Sequence, residues 1–364
     1  DTLILSDPCN FYYLTGYEAW SFYTPQFLIV PAGDEEPYWL GRAMDVRGCQ
    51  ITSILSDASI EGYPDEYVQA PDRHPAQVLA ARLHERGWAK GRIGLELNSY
   101  YLTATAYEWL LRDLRRERIV DASLLVNWVR LVKSPAEIAV MRQGARIVEG
   151  AMRAAIETIA PGVRQCDVAA AIYRALIAGT EEFGGQYASS PPFMPSGERV
   201  ATPHLSWTDQ PYENGTQTNF ELVASRHRYH TPLSRSMFLG QPSQRLIALE
   251  AAALEGIEAA LAIAKPGATA ADVEDAWQRA AMRYGVRKNA RCGYAIGIAY
   301  PPTFGEQTVS LRPSDQTVLE EGMTFHLMPG VWQDGESIVI TEPFVVTAMG
   351  GDALCRFDRR LFVK

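Results

Sequence analysis

The sequence predicts a two-domain α/β (α+β) protein, in which a small α/β domain precedes a larger domain built on an internal repeat. Three observations predict this class. Strand-like and helix-like segments alternate as far as about residue 125, a helix with a strong start signal begins at Ser134, and two similar segments follow it 105 residues apart. A chain of 364 residues is long enough for two domains. We place them at residues 1–128 and 129–364.

The first domain alternates strands with helices. The segments TLILS, QFLIVPA and RIGLEL have the aliphatic composition of strands. Residues 76–88 and 104–116 space their apolar side chains as amphipathic helices do. The alternation predicts one α/β layer structure of modest size.

The second domain opens with a helix-capping signal. Ser134 precedes Pro135 and Glu137 in the segment KSPAEI. A serine at the cap and a proline at the first helical position are both favoured at helix starts. We therefore expect a long helix to begin here.

An internal repeat follows this helix. Pro161-Gly162 and Pro266-Gly267 each end an Ala-rich helical segment, and an Asp-Val pair begins six residues after each proline. Strand-rich segments, TNFELVA and MTFHLMPG, come after the two copies. Two copies of helix pair plus strands predict a pseudo-twofold domain with its sheet inside and its helices outside.

The composition excludes several classes of protein. The formal net charge is -9, and a nucleic-acid-binding protein would normally carry a basic patch. No apolar run approaches the roughly 18 residues of a membrane span. Five cysteines without close pairing suit a reducing cytoplasm. The sequence has neither a Walker phosphate loop, nor a dinucleotide fingerprint, nor a Gly-x-Ser-x-Gly nucleophile elbow.

Five segments of the second domain, in order, resemble the pita-bread family of methionine aminopeptidase, prolidase, Xaa-Pro aminopeptidase and creatinase. They are KSPAEIAVMRQGARI, PHLSW, FELVASRHRYHTPLSRSMFLG, RCGYAIGIAYPP and LEEGMTFHLMPG. The resemblance implies a pita-bread catalytic domain behind a creatinase-like N-terminal domain. Family members usually have a helix before the first strand, so we expect that this helix is missing here and that a targeting segment could have been lost with it.

The resemblance implies chemistry without a metal. The family's peptidases hold two metal ions with two Asp, one His and two Glu. The matching positions here are Glu221, Pro232, Tyr294, Met328 and Thr341. Such a set cannot rebuild a dinuclear carboxylate site. The resemblance therefore implies a metal-independent hydrolase of creatinase type, with no cofactor.

Two residues are the candidates for catalysis. The resemblance makes His204 a proton shuttle, although a lone histidine is more often structural. Glu221 stands on an apolar strand at the first metal position, where it could be a general base or a nucleophile. The alternative is an outward-facing carboxylate at a strand edge.

Three further polar side chains are candidates for substrate binding. His227 and His230 form a His-x-x-His pattern that invites a zinc assignment, but on one strand they would face opposite sides, so we expect only His230 to face the pocket. His326 lines the site or is a satisfied core histidine. Tyr294 replaces a metal histidine and can donate a hydrogen bond.

An aromatic segment and several arginines complete the candidate site. Trp20, Phe22 and Tyr23 would suit a cationic, delocalised ligand, and in creatinase-like dimers this loop reaches the neighbour's pocket. The resemblance therefore implies a homodimer with composite active sites. The alternative is a packed loop. Arginine binds carboxylates in a bidentate way, and the candidates for that role are Arg235, Arg291 and Arg312.

The resemblance thus implies a cytoplasmic hydrolase that opens a small, zwitterionic cyclic amidine. The similarity to a creatinase relative runs from residue 12 to the end, but it departs at Glu18-Ala19 and Thr24-Pro25, which leaves the exact substrate open. Three alternatives remain: creatinase-like activity on a guanidino acid, a Xaa-Pro peptidase with an altered metal set, and a binding protein without activity.

Overall fold

The computed structural model describes residues 1–333 and 336–364, and it divides into two compact units. The first unit covers residues 1–130 and the second covers residues 131–364. Among the described residues, no helix combines the length and the apolar character that a membrane span requires.

The first unit has a six-stranded mixed sheet in the order β4-β3-β2-β1-β5-β6. Its strands are β1 (Thr2–Leu5), β2 (Phe27–Pro31), β3 (Tyr38–Arg42), β4 (Ile60–Tyr63), β5 (Ile93–Leu95) and β6 (Ile119–Asp121). Its helices are α1 (Pro8–Thr15), α2 (Val46–Thr52), α3 (Pro75–Glu85), α4 (Ala104–Asp113) and α5 (Leu125–Val129).

Both faces of this sheet are covered. Ile4 and Phe27 pack in one hydrophobic cluster, whereas their neighbours Leu5 and Leu28 pack in another. Successive side chains of a strand point to opposite faces, so a strand buried on both sides is apolar throughout. This explains why the segments TLILS and QFLIVPA are continuous apolar runs, and it confirms the predicted α/β class.

The second unit has an eight-stranded sheet and a small two-stranded sheet formed by β12 and β13. Its helices are α6 (Pro135–Thr158), α7 (Gln165–Ala178), α8 (Gln244–Ile263) and α9 (Ala270–Met282). Its strands are β7 (Gln217–Arg226), β8 (Tyr229–Phe238), β9 (Gly293–Tyr300), β10 (Thr303–Leu311), β11 (Thr324–Leu327), β12 (Val331–Gln333), β13 (Glu336–Ile338), β14 (Glu342–Thr347), β15 (Gly350–Ala353) and β16 (Phe362–Val363).

The sequence repeat is a structural repeat. Gly162 and Gly267, with φ of 86° and 92°, lie in the turns that join α6 to α7 and α8 to α9. Glycine adopts this left-handed conformation without strain. The first helix pair packs with β7 and β8 in one core, and the second packs with β9 and β11 in another. The predicted pseudo-twofold arrangement is therefore confirmed.

The helix start predicted at Ser134 is a complete capping box. The Glu137 backbone N–H donates to the Ser134 hydroxyl, and the Ser134 N–H donates to the Glu137 carboxylate at 2.7 Å. Each side chain satisfies a backbone donor that the first turn would leave without a partner. This fixes the start of α6, which packs against β7 and β8.

The hairpin between β7 and β8 corrects one interpretation. His227 and Arg228 do not lie on a strand but form the two-residue turn, with φ of 47° and 59°. Positive φ at both positions matches the right-handed twist of the flanking strands. The prediction that one strand carries both His227 and His230 is therefore wrong, because the chain reverses between them.

Candidate active site

Glu221 is held at the middle of β7 by strand pairing on both sides. It pairs with Ser234 of β8, and on its other edge it exchanges two backbone hydrogen bonds with Phe193, at 2.9 and 3.0 Å. Its neighbours Phe220 and Leu222 are fully buried, while Glu221 keeps part of its surface open. The double pairing gives this carboxylate a fixed backbone position.

Burial raises the pKa of Glu221 from 4.5 to about 7. Low-polarity surroundings disfavour the charged form of a carboxylic acid. An acid whose pKa lies near neutral pH can both accept and return a proton there. Such a strongly shifted group is also typical of functional sites.

Tyr294 and His326 form a hydrogen-bonded pair on two neighbouring strands. They are direct partners in the β9–β11 register, and the Tyr294 hydroxyl lies 3.1 Å from Nδ1 of His326. The two rings meet edge to face, with centroids 5.5 Å apart, and Phe304 packs against both. His326 is fully buried and Tyr294 is almost so.

The charges of Glu221 and Arg291 act on this pair. Burial and then the charge of Glu221 raise the pKa of Tyr294, which Arg291 opposes. Burial and then Arg291 lower the pKa of His326 to about 3. Tyr294 therefore stays a phenol and His326 stays neutral at physiological pH. Tyr294 thus contacts both His326 and Arg291, and Glu221 is near enough for its charge to act on the Tyr294 phenol.

Arg291 is the candidate arginine that belongs to this group. Its guanidinium lies 4.3 Å from the centroid of the Tyr294 ring, and its Nη1 donates to Ser310 Oγ at 3.0 Å. Arg312 donates to the same hydroxyl at 3.2 Å, but it is exposed. The structure thus separates the two candidates, because Arg291 packs on the Tyr294 ring whereas Arg312 is exposed.

Arg235 is fully buried and serves the fold. A guanidinium has five N–H donors. Here each has an acceptor within 3.1 Å, and the acceptors are the carbonyls of Ser234, Thr341, Phe357 and Asp358 and the buried carboxylate of Glu342. The expectation that Arg235 binds a substrate carboxylate does not fit this geometry, because no donor remains for a ligand.

His230 is likewise anchored by the backbone. The N–H of Ser189 donates to Nε2 at 3.0 Å, and Nδ1 lies 2.8 Å from the carbonyl of Arg228, to which it donates. Burial and the nearby Arg228 charge lower the pKa of His230 to about 3. Both ring nitrogens therefore already have backbone partners, and a contact between His230 and substrate stays a prediction.

His204 lies on an exposed loop next to the segment that flanks Glu221. Its ring centroid is 5.4 Å from that of Phe193, whose backbone pairs with Glu221. The Met194 N–H donates to the Leu205 carbonyl at 2.9 Å, which ties the two segments together. Sequence reasoning missed Phe193, and nothing in its local pattern marks it.

The aromatic segment of the first unit is partly stacked and partly exposed. The rings of Trp20 and Phe22 are 4.6 Å apart, and Phe22 meets Tyr101 edge to face. Trp20 and Tyr23 expose 58% and 64% of their surface. Exposed aromatic rings on this scale are typical of contact surfaces.

The residues at the family's metal positions do not fit a dinuclear site. Pro232 offers no side-chain ligand, and Thr341 Oγ already accepts the backbone N–H of Ser234 at 2.9 Å. Within residues 1–333 and 336–364, no three His, Cys, Asp or Glu side chains come close enough to share a metal ion. Glu221 is the one carboxylate of the five positions, which is too few for two divalent ions.

Family models cover nearly the whole chain. Residues 139–348 match Metallopeptidase family M24, and residues 1–132 match the Creatinase/Prolidase N-terminal domain. The chain belongs to the M24 metallopeptidase family. This membership confirms the predicted resemblance to the pita-bread family, and it confirms that a creatinase-like domain precedes the catalytic domain. The family is hydrolytic.

Two relatives match this M24 protein over its entire length. Ectoine hydrolase of Halomonas elongata is 46% identical over 371 residues, which cover all of this chain and 93% of that protein. An uncharacterized hydrolase/peptidase of Sinorhizobium fredii is 46% identical over 364 residues, which cover all of this chain and 93% of that protein. The similarity to a named hydrolase confirms the prediction of an enzyme.

Solved structures show the same fold at lower identity. A dipeptidase from Pyrococcus horikoshii OT3 has a TM-score of 0.83 and 21% identity, and the match covers all of this chain and 96% of that chain. A prolidase from Thermococcus sibiricus has a TM-score of 0.85 and 19% identity, and the match covers all of this chain and 94% of that chain. These likenesses confirm the pita-bread architecture.

Proposed function

We propose that this protein hydrolyses a small cyclic amidine, namely ectoine, to an N-acetylated diaminobutyrate. The observation that carries the proposal is the replacement of the family's metal ligands by one carboxylate, Glu221, grouped with Tyr294, His326 and Arg291. The 46% identity with ectoine hydrolase over the full chain supports the substrate.

The charges of the site suit a zwitterion. An amidinium ring placed at Glu221 pairs its positive charge with the carboxylate, and the substrate carboxylate pairs with the guanidinium of Arg291. Arg291 is the best placed of the three candidate arginines, because it packs on Tyr294 whereas Arg312 is exposed.

The reaction follows from these positions. Water adds its oxygen to the amidine carbon while Glu221 accepts the water proton. The tetrahedral intermediate then loses one ring nitrogen: His204 delivers a proton to that nitrogen and takes the hydroxyl proton of the intermediate as the carbonyl forms, while the proton held by Glu221 makes the released amine an ammonium. The other nitrogen keeps the new acetyl group. In the alternative route Glu221 itself attacks the carbon and water then breaks the ester-like adduct. Rapid quenching and mass spectrometry of the Glu221 peptide distinguish the routes, because only the second gives an adduct.

Neither route uses a metal ion, since the positions occupied by the family's ligands do not fit one. We propose further that the enzyme is a homodimer in which Trp20, Phe22 and Tyr23 of one subunit complete the site of the other. Their exposed rings offer faces to a cationic amidinium.

The decisive experiment presents purified protein with ectoine, creatine and a Xaa-Pro dipeptide and follows the products by mass spectrometry. We expect a product one water heavier from ectoine alone, with full turnover after treatment with a chelator. Turnover of creatine instead would favour a guanidino acid as substrate. Dipeptide cleavage that a chelator abolishes and manganese restores would establish a metallopeptidase and refute the proposal.

A further inference from the structure

His326 has one hydrogen-bonded nitrogen and one without a partner. Nδ1 lies 3.1 Å from the Tyr294 hydroxyl, whereas Nε2 has no hydrogen-bond partner among the described residues, although the ring is fully buried. The His326 ring also packs against the aromatic rings of Tyr294 and Phe304. Buried polar atoms without partners are rare, so this one requires an explanation.

The explanation depends on where the single proton of the ring lies. His326 is neutral, because burial and Arg291 hold its pKa at about 3. A neutral imidazole has one donor and one acceptor nitrogen. Either Nδ1–H donates to the Tyr294 oxygen and Nε2 is a bare acceptor, or Tyr294 donates to Nδ1 and Nε2 carries a buried hydrogen without an acceptor.

Two arguments favour the proton on Nδ1. A buried N–H without an acceptor is rarer in proteins than an acceptor that lacks a donor. In addition, Tyr294 lies in the field of Glu221, whose charge acts on the phenol. A hydroxyl that donates to His326 would turn only lone pairs toward the carboxylate, whereas a hydroxyl that accepts from His326 can point its hydrogen there.

We propose that His326 is a positioning residue, whose Nδ1–H donates to the phenol oxygen of Tyr294 and thereby turns the Tyr294 hydroxyl into a fixed hydrogen-bond donor on the Glu221 side of the site. Its catalytic consequence rests on the proposed function: the Tyr294 hydroxyl meets the oxygen that water leaves on the amidine carbon. No proton is transferred in this contact. A donor held in place before the reaction stabilises the transition state more than one that must reorient.

Four variants test the catalytic part with ectoine as substrate. We expect Tyr294→Phe and His326→Leu each to lower kcat about 100-fold with little change in KM, the scale of one preorganised donor. Because the residues act as a unit, the double variant should be no slower than Tyr294→Phe. His326→Asn keeps an N–H near the place of Nδ1 and should recover at least about tenfold over His326→Leu. Losses that multiply in the double variant, or a folded His326→Asn as slow as His326→Leu, would overturn the proposal.

A measurement without substrate tests the tautomer itself. The chain has six histidines, so ¹⁵N-histidine labelling gives a countable set of long-range ¹H–¹⁵N signals, and the set that disappears in His326→Asn belongs to His326. We expect a neutral ring with its proton on Nδ1 at pH 7. A proton on Nε2, or an imidazolium, refutes the inference. If the parent protein leaves ectoine intact, the proposed function fails, while the tautomer still decides the positioning role.

Discussion

The raised pKa of Glu221 makes a prediction about stability as well as about activity. In the native protein Glu221 keeps its proton up to about pH 7, whereas an ordinary glutamate loses it near 4.5. Between these values the native state binds more protons than the unfolded chain, so stability falls as pH rises. The free-energy cost of ionising Glu221 in the native state is absent below about pH 4, grows as the pH rises and is complete above about pH 7 to 8.

Glu221→Gln removes the titrating group and keeps the shape. The shift of the Glu221 pKa from 4.5 to about 7 corresponds to a change of about 3 kcal/mol at most in the free energy of unfolding. We therefore expect the free energy of unfolding of Glu221→Gln, relative to the parent, to rise by up to about 3 kcal/mol between pH 4.5 and pH 8. In the same variant turnover of ectoine should fall about 100-fold or more, because the proposed base or nucleophile is lost.

Urea unfolding followed by circular dichroism at several pH values measures the difference. Glu213→Gln is the matched control, because Glu213 is an exposed carboxylate that lies just before β7. The free energy of unfolding of Glu213→Gln should change with pH in the same way as that of the parent protein. If the stability of Glu221→Gln runs parallel to the parent from pH 4.5 to pH 8, then Glu221 is an ordinary solvated carboxylate and the reasoning fails. Near-normal turnover in this variant would move the chemistry to another residue.

Three further predictions concern the arginines and the assembly. Arg291→Gln should raise KM for ectoine about 10-fold to 100-fold, as expected for a lost charged hydrogen bond, whereas Arg312→Gln should change KM little. Equal effects of the two variants in steady-state kinetics would argue against Arg291 as the residue that binds the substrate carboxylate. Arg235→Leu should destabilise the protein by about 3 to 5 kcal/mol in urea unfolding, because it removes the closer of the two arginines paired with the buried Glu342 carboxylate and leaves four carbonyls without this donor, and a smaller loss would show that water reaches the site. Mixed dimers of His204→Ala and Trp20→Ala should regain activity when subunits exchange, since each then has one intact composite site, and no recovery would place Trp20 in the site of its own chain.

The sequence predicted the elements that local signals encode. The Ser134 capping box and the two Pro-Gly turns depend on neighbours within a few residues, so their pattern is visible in the chain. The hairpin turn at His227-Arg228 was missed because it has positive φ at both residues without the Asn or Gly that normally marks such a turn. Alternation then suggested one continuous strand.

The orientation of buried polar side chains was harder to predict. Arg235 was expected to face a ligand, but its acceptors include the carbonyls of Thr341, Phe357 and Asp358, more than 100 residues away. Only the folded sheet brings these carbonyls together. The pairing of Tyr294 with His326 likewise depends on the β9–β11 register, which no local pattern specifies.

The charges of the candidate site are consistent with a mechanism that has no metal ion. In the family's peptidases four carboxylates face two divalent ions, and without those ions four like charges at close range would repel. Here one carboxylate remains, Glu221, and Arg291 supplies one opposite charge. His326 and Tyr294 are neutral, so the charges of these four residues cancel once Glu221 is ionised. A zwitterion offers its amidinium to Glu221 and its carboxylate to Arg291, whereas a simple cation offers nothing to the guanidinium, so in the proposed mechanism the substrate's own carboxylate strengthens binding.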